Sequence, residues 1–300
     1  MGVISGIDLY SVHFMDRDNG FVFGKDVLRT YDGGNSWEVQ DYGLDAYLFS
    51  VQFLDCRLGW AVGSGGCIIK TKNGGNSWEV QDSGIGNCGI ANCGVSSICD
   101  TALLSSVYFL DSDMGWVVGS GGCLLRTFNG GKRWEVVETG FNDWFHSVYF
   151  IDRNIGFIAG RYGSLFGTFD GGRTWDKVSV NNYMTSVCFF DANNGFIVGD
   201  EGLVLRTVDG GRIWNRIDTS FDSFLFSVRF INERLGFIVG DCMLRTKDGG
   251  EIWERLADVT DNTLHCVQFL SESENGERVG FAVGGSGVFL LTLDGGDGWF

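Results

Sequence analysis

An eight-residue pattern, Thr-x-Asp/Asn-Gly-Gly-x-x-Trp, returns seven times along the chain, from Thr30–Trp37 to Thr292–Trp299. The copies between begin at Thr71, Thr127, Thr168, Thr207 and Thr246. A motif recurring at roughly 40 residues signals a repeat architecture in which each unit buries its apolar face against its neighbours. A chain of 300 residues filled end to end by such units reads as one closed domain over 1–300 rather than two unrelated ones.

Each unit has the same grammar. It opens on Ser-Val-x-Phe, as at Ser11–Phe14 and Ser50–Phe53, and passes through a polar turn. Gly-Phe/Trp-x-x-Gly follows, as at Gly59–Gly63, and then a third apolar stretch that runs into the octet. The octet's Trp starts a fourth stretch, such as Trp78–Gln81. Short β-branched and aromatic runs between Gly, Asn and Asp clusters are strands joined by tight turns. Four strands in each of seven units predict an all-β, seven-bladed β-propeller. The last copy reaches only Trp299-Phe300, and Met1–Ser5 precede the first unit at the distance a missing strand needs. The N-terminal segment is therefore expected to close the ring as the outer strand of the last blade, which also hides an open edge.

The octet itself reads as a turn device. Asp or Asn tolerates unusual φ and bonds neighbouring N–H groups, and Gly-Gly supplies φ > 0. The positions expected to act in this structural way are Asp32, Asn73, Asn129, Asp170, Asp209, Asp248 and Asp294. Seven interchangeable copies are ill suited to catalysis, which needs one asymmetric site.

The motif closely resembles the Asp-box, or bacterial neuraminidase repeat. The whole unit is most similar to the photosystem II stability and assembly factor-like propellers. That resemblance implies a non-enzymatic scaffold that binds another protein during complex assembly, in an extracytoplasmic compartment. Photosynthetic members present an Arg-rich patch to their partner, whereas here Arg29, Lys70, Arg126, Arg206 and Arg245 merely recur at one strand-three position. The alternative is a glycan-binding module or a divergent glycoside hydrolase of sialidase type. Sialidases, however, begin on Arg-Ile-Pro, which a chain with no Pro lacks, and glycoside hydrolysis needs a placed carboxylate pair.

Charge narrows the partners. With 22 Lys and Arg against 38 Asp and Glu, the formal net charge is −16. That opposes nucleic-acid binding, which rests on cations neutralising phosphates, and favours a protein partner, a basic one by charge alone, with a glycan as the other choice. No apolar run is long enough to span a bilayer, and no cofactor or metal motif is present. In particular, no Gly-x-Gly-x-x-Gly opens a helix, and His13, His146 and His265 are too dispersed for a ligand set.

Propellers place the octet turns on one side and the blade-to-blade links, with the strand two-to-three turns, on the other. Loops that vary on a repeating scaffold are where binding is sought. Aromatics beside acids in those links nominate Tyr42, Asp45, Tyr47, Asp143, Trp144, Phe145 and Tyr183, with Asp222 and Phe224 farther along. The shorter turns add Arg161, Tyr162, Asp200 and Glu201. Trp144 stands out because no other unit has Trp there. One link is interrupted by an insertion over 83–105 that carries Cys88, Cys93 and Cys99. Their spacing does not match a zinc knuckle, which leaves a disulfide-stapled loop or unpaired thiols. The other six Cys, at 56, 67, 123, 188, 242 and 266, lie in blade elements and read as small buried apolar residues.

Overall fold

A computed structural model describes residues 6–85, 102–179, 182–257, 259–271 and 278–300. The fold is an all-β, seven-bladed β-propeller. Six sheets have four antiparallel strands in simple meander order, and the seventh has three among the described residues. In that last blade Phe300 already pairs with Leu291 through two backbone bonds of 2.9 and 3.0 Å, the first step of a fourth strand. Met1–Ser5, expected to complete it, and the cysteines of the 83–105 insertion lie outside the described residues. The chain divides into two compact units: Asp41–Met184, with blades two to four, and Met1–Gln40 with Thr185–Phe300, with blades five to seven and blade one.

Within Asp41–Met184, blades are joined by aromatic stacking. Trp60, in strand two of blade two (Gly59–Gly63), stacks on Phe109 at the end of strand one of blade three at 3.6 Å and 11°. Trp116 repeats this on Phe150 at 3.5 Å and 11°. Each of those Phe rings also meets the octet Trp of its own blade edge-on, Phe109 with Trp134 and Phe150 with Trp175. Such pairs contribute roughly 0.5–1.5 kcal/mol beyond the area they bury. The other unit uses the same device where blade seven meets blade one: Phe281 stacks on Phe14 at 3.5 Å and 7°, and Phe14 meets Trp37 edge-on.

The motifs follow from this seam. A Cβ on Gly115 would lie 2.5 Å from the Phe109 ring, so the glycine that opens Gly-Trp-x-x-Gly makes room for the ring of Ser-Val-x-Phe. The serine of that motif accepts a bond from the next blade, Ser50 Oγ from Val107 N–H at 3.2 Å and Ser106 Oγ from Val148 N–H at 3.3 Å. Gln52 clasps both backbone groups of Phe109, at 2.5 and 2.9 Å. Gln268 does the same to Phe14 at 2.6 and 3.0 Å, tying blade seven to blade one.

The octets form closed hydrogen-bonded turns. In blade one the Thr30 hydroxyl donates to Asp32 Oδ1 at 2.8 Å and accepts from Gly34 N–H at 2.9 Å. Asp32 also takes the Ser36 N–H at 2.9 Å and the Ser36 hydroxyl at 2.6 Å. The Ser36 hydroxyl and N–H, with the Thr30 hydroxyl, hold the Asp32 carboxyl down at about 2. The recurring strand-three bases are seam residues too. Lys70 Nζ donates to the carbonyl of Gly130 in the next octet at 2.6 Å, and Arg245 donates to that of Gly296 at 3.3 Å. Among the blade cysteines, Cys67, Cys123, Cys188 and Cys242 are buried, whereas Cys56, exposed in a polar turn, and Cys266, half-buried, correct the expectation.

The tight seam makes a sharp prediction. Gly115→Ala should destabilise the fold by about 1–3 kcal/mol through overpacking of a ring that cannot retreat. Urea unfolding measures this directly, and a change within about 0.5 kcal/mol would contradict the stated role of that glycine.

Candidate functional site

The strand two-to-three turns are bonded to the blade-to-blade links, which gathers both on one side of each blade. In Asp41–Met184, Ser64 N–H donates to Tyr47 O at 2.8 Å, Gly122 N–H to Asp143 O at 2.6 Å and Arg161 N–H to Trp144 O at 2.9 Å. The octet glycines bond instead to the turns between strands one and two, as Gly74 N–H does to Arg57 O at 2.9 Å.

Blade four carries a cluster of four side chains on the link side. The Arg161 guanidinium lies over the Trp144 ring at 4.3 Å and over the Tyr183 ring at 5.2 Å. His146 completes the group, stacked on Trp144 at 5.6 Å and tilted against Tyr183 at 4.8 Å. Trp144 is half-buried and fixed, since its Nε1–H donates to Ser105 Oγ at 3.0 Å. No ion pair joins Arg161 to a carboxylate among the described residues, and its Nε is buried without a hydrogen-bond partner. His146 enters the cluster through a β-bulge. The register jumps from Phe145↔Gly160 to Ser147↔Ala159, so His146 is the extra residue and its side chain leaves the alternation. Burial, and then the Arg161 charge, pull the imidazole down to about 4.

Beside the cluster, Tyr162 is 80% exposed at φ +52°. The same turn position is filled by Gly65 and Gly121 in blades two and three, both at φ +67°. A tyrosine held there costs on the order of 1 kcal/mol, and its ring is not repaid by burial. Asp143 is half-buried and accepts a bond from the Ser164 hydroxyl.

Two nominated residues need correction. Phe145 is fully buried against Phe166, because it occupies the first position of strand one, the place of Leu48 and Leu104 in blades two and three. Tyr42 is 8% exposed, and its hydroxyl donates to Ala46 O, which pins the link from inside. Asp45 and Tyr47 remain exposed on the blade-two link. In the other unit, Glu201 and Asp222 are exposed, Glu201 at φ +49°, while Asp200 and Phe224 are half-buried. Phe224 begins an aromatic file that continues to Phe226 at 4.7 Å, His265 at 5.2 Å and Tyr10 at 5.4 Å. His265 Nδ1 lies 2.8 Å from Leu9 O. Tyr10, Phe226 and His265 are bulge residues like His146 and were not nominated. Their signal was the position before the Ser of Ser-Val-x-Phe, which is aromatic in several units. Among the described residues no His, Cys, Asp and Glu gather in a set able to hold a metal, and no helix is long and apolar enough to cross a membrane.

The pH dependence has a definite sign. His146 has a folded pKa near 4 against 6.5 for the free side chain, so unfolding takes up a proton as pH falls from 6.5 to 4. The folded state therefore loses stability across that window, by on the order of 1–3 kcal/mol from this residue. Arg161→Gln should raise the His146 pKa, read by NMR titration, and lessen the loss. An unchanged midpoint would contradict the coupling.

Comparison with known proteins agrees with this architecture. A structure of YCF48 bound to a D1 peptide superposes with a TM-score of 0.76 at 18% identity, covering 98% of this chain and 94% of that one. YCF48 from Cyanidioschyzon merolae gives 0.73 at 20% identity, with 99% and 98% covered. A GH74 enzyme from Niastella koreensis gives 0.72 at 13% identity, and the chain spans only 54% of it. At these identities the likeness is one of fold. No curated protein matches the chain. The family model described as photosynthesis system II assembly factor YCF48 matches residues 4–87, 94–182, 132–222, 178–257 and 212–300. The chain belongs to the YCF48 family of photosystem II assembly factors.

Proposed function

We propose that this chain is a non-catalytic scaffold that grips a protein partner through the link side of blade four, with Arg161 as the anchor. The observation that carries this reading is the guanidinium lying over both the Trp144 and Tyr183 rings, with no carboxylate paired to it among the described residues, in a chain of net charge −16. With Nε buried, a cation oriented by two rings still has its two terminal nitrogens for a bidentate contact with a carboxylate. The exposed Tyr162 ring adds apolar area next to that contact, the combination found at interface hot spots. The whole-chain charge favours a basic partner, but local geometry favours an acidic group at this point of it. Family membership is also what supports an extracytoplasmic location.

The glycan reading is weaker at this site. Sugar stacking needs an open aromatic face, and Trp144 is already engaged by Arg161 and His146. The structural likeness to GH74 enzymes carries no site residues across.

The test is affinity purification of the tagged protein from its native source, with wild type against Arg161→Ala/Tyr162→Ala. We expect the partner recovered with wild type to fall at least tenfold with the variant, while the melting temperature holds. Recovery within twofold of wild type, or binding on a glycan array with no protein recovered, would overturn the reading.

A further inference from the structure

The seven octets serve as controls for one another, since they make the same turn with different side chains at the variable places. The seventh octet position is Ser36, Ser77 and Thr174 in blades one, two and four. There the hydroxyl closes the turn: Ser36 Oγ donates to Asp32 Oδ2 at 2.6 Å and Thr174 Oγ1 to Asp170 Oδ2 at 2.7 Å. Blades five and six, neighbours in one compact unit, carry Ile213 and Ile252 instead. Their backbone N–H groups still reach Asp209 and Asp248 at 3.0 and 3.1 Å, but the side-chain bond is surrendered. In exchange the fold receives two aliphatic chains that are 62% and 64% exposed, with Val208 of the blade-five octet at 58%. The turn does not need them, as Ser36 and Ser77 show. Exposed aliphatic side chains in the octets of two successive blades, placed there at the loss of a local bond, point to a partner surface.

Charge identifies the partner. The sixth octet position, adjoining each isoleucine, is Arg212 in blade five and Glu251 in blade six. A two-fold axis between the two octets would set Ile213 of one molecule on Ile252 of the other and Arg212 opposite Glu251. The same contacts would then recur with roles exchanged, as an isologous interface requires. Glu251 is 64% exposed although it also meets Arg206, so it is able to accept a second guanidinium. We propose that the octet side of blades five and six is a self-association surface whose occupant is a second copy of this chain. The patch is small, so the dimer is weak and forms at raised concentration.

Sedimentation velocity tests this from about 5 to about 500 μM protein, a range bracketing a weak dimer. The wild type should shift from monomer to dimer with concentration. Ile213→Ser/Ile252→Ser should stay monomeric, with a melting temperature equal to or above wild type, because serine restores the bond seen at Ser36. Arg212→Glu and Glu251→Arg should each weaken association at least tenfold, and the two combined should restore it. A wild type monomeric throughout, a dimer unaffected by the serine pair, or a failed charge-swap rescue would each overturn the proposal.

Discussion

The stack of a strand-two Trp or Phe on the neighbouring blade's Phe is the interaction on which the rest of the architecture depends. A four-stranded blade is too small to bury its own faces. Its strand-one Phe must be covered by the preceding blade on one side and by its own octet Trp at the edge, as Phe150 is by Trp116 and Trp175. Once that ring has to lie flat on a strand, the residue beneath it has to be glycine, and a Cβ at Gly156 would meet Phe150 at 2.6 Å. Serine and glutamine then fasten backbone to backbone across the seam, and the octet turns the chain so that its Trp arrives at the ring.

Because this demand repeats, it separates what the fold needs from what it merely tolerates. Lys70 and Arg245 bond a neighbouring octet and so belong to the frame. No other blade has Trp, Arg and Tyr at the places of Trp144, Arg161 and Tyr162, and an exposed tyrosine at positive φ and an arginine laid on two rings do nothing for the seam. The same comparison isolates Ile213 and Ile252.

The fold was legible in the sequence because its period is written in rare residues. Gly-Gly before a Trp, repeated seven times, leaves few alternatives. The strand-three bases were visible as a column, but their partner carbonyls in the next octet were not, since nothing in a sequence states which way a blade leans. The site was half legible. Trp144 was nominated as a departure from the repeat and Arg161 as part of a short turn, whereas Phe145 was misjudged although its column is otherwise Leu and Met. Counting inward from Ser-Val-x-Phe would have placed it in the core. His146 was missed as part of the site because a bulge breaks the alternation from which a side chain's direction is inferred.

The central claim is that the seam stack is an energetic coupling rather than incidental contact. A double-mutant cycle on Trp116 and Phe150, with each replaced by Leu and unfolding followed in urea, measures it directly. The account predicts a coupling energy of about 1 kcal/mol, the stack's share beyond buried area. Single-variant losses that simply add, within about 0.3 kcal/mol, would contradict it.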